Sequence, residues 1–297
     1  MTQDADVPEH ELFESNRKHL TALAYRMTGS LAEAEDIVQE AYLRWKRSGA
    51  DTVRHPRAFL SKTVTRLCLD FLKSARKRRE SYVGPWLPEP LVGSVAAPDS
   101  DAGELARDVS TALMLALERL TPLERAVFLL REVFDVDYQD VAGTVGRSED
   151  ACRQLVSRAK KNIAAARPRY QPSRDECERV VEAFGAAVIT GDLTQLEATL
   201  ADDAILYADG GGRVRSALRP IHGANRIARF FIGVTKKSPF SSDMQVLPRL
   251  VNGSPGFVIV DAGEVVQTMA FEVTEGRVRT IYAVRNPDKL ARLSVLS

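Results

Sequence analysis

The sequence predicts a multidomain protein in which two all-α domains, the second a helix-turn-helix, precede an α+β domain. Apolar residues recur at helical spacing through roughly the first 80 residues and again over 105–168. A proline-rich segment separates the two helical stretches. After residue 173, helices give way to strand-like runs, as expected for helices packed on a bent sheet. We therefore expect domains at 1–82, 105–170 and 173–297, with a linker at 83–104.

Charge is balanced over the whole chain but unevenly distributed along it. The formal net charge is +1 over 297 residues, which by itself indicates no partner. Five of the seven residues in Lys73–Arg79 are basic, and Ala151–Pro172 holds six Lys or Arg and no acidic residue. Two separate basic patches favour two contacts with a polyanion. Either patch alone is better explained as a solvated helix face.

The composition indicates no metal site, cofactor or membrane segment. Cys68, Cys152 and Cys177 are odd in number, widely spaced and set in apolar helical patterns. We therefore expect free core thiols in a reducing cytosol, and no metal ligand. No signal peptide is recognisable, and no apolar run approaches the ~18 residues that a membrane span requires. The expected location is cytoplasmic.

Capping signals and apolar spacing define the helices of the first domain. An apolar stripe runs over 12–27, and Ser30 with Glu33 fits a capping box that opens a second helix over 31–45. A loop then precedes a third helix over 58–77. The outer face of the second helix carries Glu33, Asp36, Gln39, Glu40 and Leu43. An acidic face with one aliphatic residue suits a protein-docking surface, and equally a merely solvated one.

The linker contains unusually large apolar residues. Prolines 85, 88 and 90 in GPWLPEPL exclude a continuous helix. Trp86 and Leu87 are too apolar for a free linker, so we expect them to dock on another part of the protein.

The sharpest motif is a helix-turn-helix. A short helix over 138–145 is followed by a turn, and Ser148 caps a second helix whose first turn holds Glu149 and Asp150. The residues left to face outward from that helix are Arg153, Gln154, Ser157, Arg158, Lys160 and Lys161. Such a helix fits the major groove, where Arg and Gln make paired hydrogen bonds to base edges. The alternative is a helical hairpin with a basic solvated face.

The C-terminal domain reads as helices followed by strands. Ser173 opens a helix to about residue 189, a short helix follows over 192–200, and one more fits 225–231. The predicted strands are 204–208, 244–251, 257–261, 265–273 and 278–284.

The helical half resembles the extracytoplasmic-function (ECF) sigma factors of bacterial RNA polymerase. AEAEDIVQEAYLRW (32–45) resembles the part of region two that docks on the polymerase clamp helices. AFLSKTVTRLCLDFLKSARKRRE (58–80) resembles the part that melts and holds the −10 element. SEDACRQLVSRAKKNI (148–163) resembles the region-four helix that contacts the −35 element. Three matches in the family's order are far more specific than one helix-turn-helix.

The resemblance implies an alternative sigma factor that brings polymerase core to promoter DNA and initiates transcription. It implies contacts with the clamp helices of the β′ subunit, through the acidic face named above, and with the flap of the β subunit. The residues implied for the −10 region are Arg54, Arg66, Lys73, Arg76, Lys77, Arg78 and Arg79. Those implied for −35 recognition are Arg153, Gln154, Ser157, Arg158 and Lys161. Trp45 and Phe59 flank a loop where relatives hold a flipped base, but both residues fit the core better.

Several positions depart from the family pattern. Leu67 follows Arg66 where many relatives have asparagine, and Leu155 occupies a position where arginine is common. Asp150-Ala151-Cys152 replaces the usual Gly-Thr-Val at the start of the recognition helix. The promoter sequence therefore cannot be copied from a generic relative.

The C-terminal half resembles the SnoaL-like domain fused to one subgroup of these sigma factors. WLPEP (86–90), DGGG (209–212) and NPDKL (286–290) carry this resemblance, which implies a cone of curved sheet that replaces a separate anti-sigma factor. We expect the three segments to meet and to set the placement of the two DNA-binding domains. The residues assigned to this regulation are Trp86, Leu87, Pro88, Asp209, Gly210, Gly211, Gly212, Asn286, Pro287, Asp288 and Lys289. The alternative is that these segments are ordinary turns.

Two rival functions remain open. One is a helix-turn-helix repressor or activator fused to a cone that senses a small hydrophobic ligand. The other is an enzyme, because relatives of the cone include cyclases and isomerases; Tyr207, Asp209 and His222 are then the candidate residues. Nothing in the sequence fixes a catalytic pair, so we expect no enzymatic activity and assign no catalytic residue.

Overall fold

The computed structural model describes residues 9–48, 55–93, 109–164, 173–239 and 241–293. Contacts divide the chain into two compact units. The first comprises Met1–Glu80 and Ala112–Arg167, and the second comprises Ser81–Thr111 and Pro168–Ser297. The described part of the linker thus belongs to the same unit as the C-terminal domain. Ser81 and Tyr82 belong to this unit as well, so the linker segment of the second unit is 81–93. Because both sets of N-terminal helices fall in one unit, their division into domains at 1–82 and 105–170 stays a prediction.

The first unit is helical throughout its described residues. Its helices are α1 (Glu9–Thr28), α2 (Leu31–Arg47), α3 (Pro56–Glu80), α4 (Thr111–Glu118), α5 (Pro122–Phe128), α6 (Tyr138–Val145) and α7 (Glu149–Ala164). A π-helical turn, Leu129–Val133, continues α5.

Capping side chains start α2 and α5, and the first of these caps is the Ser30 predicted from the sequence. The Ser30 hydroxyl accepts a hydrogen bond from the Glu33 amide at 3.3 Å at the start of α2. Thr121 and Glu124 form a reciprocal capping box at the start of α5. Each cap satisfies backbone amides that a first helical turn leaves free, so these boundaries follow from local chemistry.

A charged residue lies at the centre of the first unit. Arg125 in α5 is only 3% exposed. Its guanidinium donates to the Met27 carbonyl at 2.6 Å, the Glu118 carboxylate at 2.7 Å and the Leu117 carbonyl at 2.9 Å. Burial lowers the pKa of Arg125 to about 10. One side chain therefore joins the C-terminal turn of α1 to α4 and α5.

The second unit is a mixed sheet covered by helices on one face. Its strands are β1 (Val92–Gly93), β2 (Leu200–Asp209), β3 (Ile221–His222), β4 (Gln245–Val251), β5 (Ser254–Asp261), β6 (Glu264–Thr274) and β7 (Arg277–Val284), in the order β1-β4-β5-β6-β7-β2-β3. Its helices are α8 (Arg174–Thr190), α9 (Leu193–Ala198), α10 (Ala224–Lys237) and α11 (Pro287–Leu290). Only the β2–β7 pair is parallel among the described strands.

The two faces of the sheet have different roles. Alternate residues of β2, including Leu206 and Ala208, join a core with Phe184 of α8. Because side chains alternate along a strand, Tyr207 and Asp209 point to the opposite face. The conformation of β2 therefore directs Asp209 away from the helix-covered core.

The five strands and three helices predicted after residue 173 are all present, with ends shifted by a few residues. Two features were not predicted. The two-residue strands β1 and β3 are too short to show a pattern, and Asn286-Pro287 starts the short helix α11 rather than only a turn.

The cysteines are free, with Cys68 and Cys152 buried and Cys177 partly buried, as expected. Within the described ranges, no group of side chains is arranged to hold a metal ion. No helix in those ranges is both long enough and apolar enough to cross a membrane.

Candidate nucleic-acid interface and linker-docking site

The helix-turn-helix has the geometry expected from its sequence. Gly146 ends α6 with φ 67°, a left-handed conformation that glycine adopts without strain. The Ser148 hydroxyl accepts from the Ala151 amide at 3.3 Å and so caps α7. Cys152, Val156 and Ala159 are buried on the inner side of α7.

The outer side of α7 is exposed. Its exposed residues include all five assigned to −35 recognition: Arg153, Gln154, Ser157, Arg158 and Lys161. Two neighbouring cations are already paired. Lys160 lies 2.6 Å from the Glu132 carboxylate, and Arg153 forms ion pairs with Glu149 at 2.8 Å and Asp150 at 3.0 Å. These pairs were not predicted.

The residues assigned to the −10 region are only partly described. Arg66 is exposed on α3, and its Nε donates to the Thr144 carbonyl of α6 at 3.2 Å. Lys73 is exposed and pairs with Asp70 at 2.8 Å. Arg54 lies outside the described residues. Arg76, Lys77, Arg78 and Arg79 belong to the last turns of α3, but their side chains also lie outside the described part.

The proposed polymerase-docking face lies on one side of α2. Asp36, Gln39 and Leu43 are exposed, Leu43 to 44%, while Glu33 and Glu40 are partly buried. Glu40 also pairs with Arg44 at 2.8 Å. Trp45 is buried on the opposite side, as expected for a core residue, and Phe59 is partly buried.

In the second unit, Asp209 is the centre of a hydrogen-bonded cluster. Its carboxylate is fully buried. Oδ1 accepts from the Tyr82 hydroxyl at 2.6 Å and the Gly211 amide at 3.0 Å. Oδ2 accepts from the Leu87 amide at 2.9 Å and from Lys289 Nζ at 2.7 Å. Two of the four donors belong to the linker, so this carboxylate attaches the linker to the end of β2.

Lys289 makes the second attachment. Its ammonium group also donates to the Leu87 carbonyl. It lies 4.4 Å from the centre of the Trp86 ring and 5.1 Å from that of Tyr82, within cation–π range. Lys289 thus contacts backbone and aromatic groups of the linker while it neutralises Asp209.

Asn286 closes the cluster from the other side. Its Nδ2 donates to the Tyr82 hydroxyl at 2.9 Å, and its Oδ1 accepts from the Asp288 amide at 3.1 Å, which caps α11. Burial, together with the adjacent Asp209 carboxylate, raises the pKa of Tyr82 above its usual value. The hydroxyl is therefore held neutral and available as a donor.

The DGGG segment fits this cluster closely. Gly211 has φ 61°, and a Cβ placed there would collide with the Asn286 side chain. A Cβ on Gly210 would meet the Val214 carbonyl oxygen at 2.6 Å. Gly212 has φ 71° and lies beside Val83 of the linker. The glycines are therefore required by close approach as well as by backbone conformation.

The linker also extends the sheet. The Leu91 amide donates to Asn252 Oδ1 at 3.3 Å, and the Asn252 amide donates to the Leu91 carbonyl at 2.8 Å. Val92 and Gly93 then pair with β4. Leu87, Pro88 and Leu91 are buried, so the linker residues are packed as well as hydrogen-bonded.

The structure thus brings together WLPEP, DGGG and NPDKL, the three segments that carry the resemblance of the C-terminal half. Of the remaining assigned residues, Asp288 is exposed and lies 3.4 Å from Arg213, and Pro287 is the first residue of α11. Sequence reasoning missed Tyr82 and Asn252. Asn252 could have been found from the Asn-Gly hairpin signal that it begins, whereas Tyr82 carries no local signal.

The candidate enzyme residues do not form a common site. Asp209 is occupied by four donors, and Tyr207 stacks on Tyr282 with ring centres 5.8 Å apart. Both side chains point away from the helix-covered core. His222 is exposed on β3.

The comparisons with known proteins agree with this geometry. Sigma-70 region 2 matches residues 12–78, and Sigma-70, region 4 matches residues 110–163. The ECF RNA polymerase sigma factor SigJ of Mycobacterium tuberculosis H37Rv is 39% identical over 290 residues, which cover 93% of this chain and 91% of SigJ. The chain belongs to the ECF sigma factors.

Two further comparisons define how far the similarity extends. A probable ECF sigma factor, SigI of M. tuberculosis CDC 1551, is 37% identical over 191 residues, covering 64% of this chain and 66% of SigI. The crystal structure of M. tuberculosis SigJ superimposes with a TM-score of 0.78 at 34% identity, covering 97% of this chain and all of that one. The superposition therefore covers both the helical half and the α+β half of this chain.

Membership of this family defines the basic activity. This ECF sigma factor is a regulatory DNA-binding protein that binds RNA polymerase core and directs it to promoters. The rival assignment, a helix-turn-helix regulator fused to a sensor, is not favoured.

Proposed function

We propose that α7 reads the −35 element and that the basic end of α3 holds the −10 element. The exposed Arg153, Gln154 and Arg158 support the first assignment, because these side chains can reach base edges and phosphates from one helix face. The position of Arg66 and Lys73 on exposed turns of α3 supports the second.

We further propose that the acidic face of α2 docks on the clamp helices of the β′ subunit and that region four contacts the β flap. The exposed Leu43 among carboxylates supports the first contact, since one aliphatic anchor with a polar rim is common in protein interfaces. These contacts place the protein in the cytoplasm, where polymerase acts.

The third proposal concerns control by the C-terminal domain. We propose that the cluster around Asp209 holds the linker and thereby limits how far regions two and four can separate. The single observation that carries this proposal is the set of four donors on one buried carboxylate, two of them from the linker.

The length of the linker makes this control physically reasonable. The chain from Glu80 to Thr111 could span about 100 Å when fully extended. Anchoring residues 82–93 on the sheet fixes about two fifths of that length in one place and leaves only the remainder free to adjust. A sigma factor must contact two promoter elements at once, so the anchored linker favours some spacings between them over others.

This arrangement needs neither catalysis nor a separate anti-sigma factor. The occupied carboxylate of Asp209 argues against its use as a general base. Between the helices and the sheet, the ring centre of Phe184 lies 5.2 Å from that of Phe231 and 5.1 Å from that of Phe271. We therefore propose a regulatory, non-enzymatic domain. The alternative proposal is a cone that binds a small hydrophobic ligand.

The proposed control is tested by run-off transcription with purified core polymerase on promoters whose −10/−35 spacing varies. Lys289→Met removes one anchor and leaves the buried Asp209 carboxylate three uncharged donors, so we expect the linker to loosen and the second unit to lose stability. The assay is therefore run at a temperature at which the tryptophan fluorescence of the variant shows a folded second unit. Initiation should then depend less steeply on spacing.

Arg277→Met is the matched control, because it removes a cation that only approaches exposed Asp202 at 3.6 Å. If Lys289→Met and Arg277→Met give the same spacing profile, the linker anchor does not control promoter geometry. If the unaltered protein supported initiation on none of the promoters, the result would instead contradict the family assignment.

The fit of the DGGG segment yields a stability prediction. We expect Gly211→Ala to lower the free energy of unfolding of the second unit by about 2–4 kcal/mol, because it adds left-handed strain and a collision with Asn286. Gly263→Ala is the control: its φ is 83°, but nothing lies within 4 Å of the added Cβ. Equal losses in urea unfolding would show that the close approach to Asn286 has no energetic weight.

A further inference from the structure

The recognition helix α7 begins with two carboxylates that both face one arginine. Glu149 and Asp150 accept from the two terminal nitrogens of Arg153 at 2.8 and 3.0 Å. All three side chains are exposed to a large extent, Asp150 to 90%. The outward face that is proposed to meet DNA therefore carries two negative charges beside its first cation.

An aromatic ring holds the same guanidinium from a third side. The Arg153 guanidinium lies 4.8 Å from the centre of the Tyr138 ring. The Arg131 guanidinium lies 5.1 Å from that centre and is itself held near Asp135 at 3.3 Å. Tyr138, at the start of α6, thus restricts the orientation of Arg153.

Helix stability explains only part of this arrangement. Carboxylates in a first turn favour the helix dipole, and spacings of three and four residues favour pairs with Arg153. Neither effect removes the cost of bringing two carboxylates toward DNA phosphates. An arginine already neutralised by carboxylates also releases few counterions when it meets a phosphate, so it adds little to non-specific binding.

We propose that Glu149 and Asp150 are specificity-determining residues, and that Tyr138 positions the Arg153 which they restrain. At a matching site, Arg153 donates to the N7 and O6 acceptors of a guanine while a carboxylate accepts from the exocyclic amine of a cytosine. At other sites the carboxylates face phosphates and acceptor groups, and no hydrogen bond to a cytosine amine offsets the repulsion. Discrimination then comes from a penalty on wrong sequences as well as from attraction to the right one.

This proposal rests on the proposed reading of the −35 element by α7, and the test separates the two. The full chain in complex with core polymerase is assayed by run-off transcription on a promoter and on versions with each −35 base pair replaced. In the double variant Glu149→Gln, Asp150→Asn, replacing a −35 base pair should reduce initiation less than it does in the unaltered protein. At one or two base pairs we expect this reduction to be about tenfold smaller. Initiation should also become more salt-sensitive, by about one unit of log–log slope.

Asp202→Asn with Asp203→Asn is the control for the loss of two negative charges, because both residues lie outside the region-four helices and are largely exposed. One result would overturn the inference: the double variant keeps the loss of initiation caused by each −35 replacement, while Arg158→Ala changes that loss. The carboxylates would then have a purely structural role. If Arg158→Ala and Gln154→Ala also leave every −35 penalty unchanged, the reading of the −35 element by α7 fails instead.

The positioning role of Tyr138 has its own signature. Tyr138→Phe keeps the ring face that Arg153 contacts, so discrimination should be retained. Tyr138→Leu removes the ring, and the penalties at the same base pairs should fall. Equal discrimination in both variants would exclude a positioning role for the ring.

Discussion

Asp209→Asn is expected to lower the free energy of unfolding of the second unit by about 3–5 kcal/mol, because it leaves the ammonium group of Lys289 without a counter-charge in a buried site. The NH2 group of the new amide would also face existing donors in either orientation: the Leu87 amide and Lys289 in one, and the Tyr82 hydroxyl and the Gly211 amide in the other. The carboxylate instead accepts from all four of its neighbours. The loss should appear together with release of the linker.

The protein contains two tryptophans, so this loss can be measured selectively. In a Trp45→Phe background, the fluorescence of Trp86 reports the linker, because its ring contacts Lys289. Asp202→Asn is the control, since its 99% exposed carboxylate should cost less than about 1 kcal/mol. Adding Lys289→Met to Asp209→Asn should restore part of the stability by removing the isolated charge. A loss no larger than that of Asp202→Asn would mean that the cluster does not hold the unit together.

Arg125→Met is expected to destabilise the first unit by about 3–5 kcal/mol, since it removes one partner of a buried charged network. The Met27 and Leu117 carbonyls and the Glu118 carboxylate would each lose a donor. Methionine keeps much of the side-chain volume, so a cavity does not explain the effect. A Trp86→Phe background leaves the buried Trp45 as the reporter for urea unfolding.

Arg44→Met provides the comparison for Arg125. The Arg44–Glu40 distance of 2.8 Å is close to the 2.7 Å between Arg125 and Glu118, but both side chains of the Arg44 pair are substantially exposed. We expect a much smaller loss of stability than for Arg125→Met, because solvent screens the exposed pair. If the two substitutions had similar effects, the burial of Arg125 would carry no energetic weight.

Much of the fold could be predicted because its signals are local. Serine and threonine caps locate the starts of α2, α5, α7 and α8, and runs of apolar residues locate the five longer strands. The outward face of α7 also follows from helical periodicity. The pairing of Arg153 with Glu149 and Asp150 could have been found from their spacing, but the contact with Tyr138 depends on the packing of α6 against α7.

The linker-docking site could be predicted only in part. Trp86 and Leu87 indicate docking because large apolar side chains are unfavourable in a free linker. Their partners lie more than 100 residues further along the sequence. Only the family resemblance indicated that the linker meets the DGGG and NPDKL segments. Tyr82 follows a basic cluster and shows no periodicity, while β1 is too short for any pattern. Long-range register is set by tertiary packing, which the local sequence does not encode.

The pairing of β1 with β4 affects the order in which the protein can be completed during synthesis. Val92 leaves the ribosome long before its partner Val251, and region four is translated between them. Regions two and four are therefore available to fold while the apolar segment from Trp86 to Leu91 has no sheet to bind. A nascent chain, or one ended early by a premature stop, would carry a free linker, so the control proposed for the C-terminal domain begins only when translation is nearly finished.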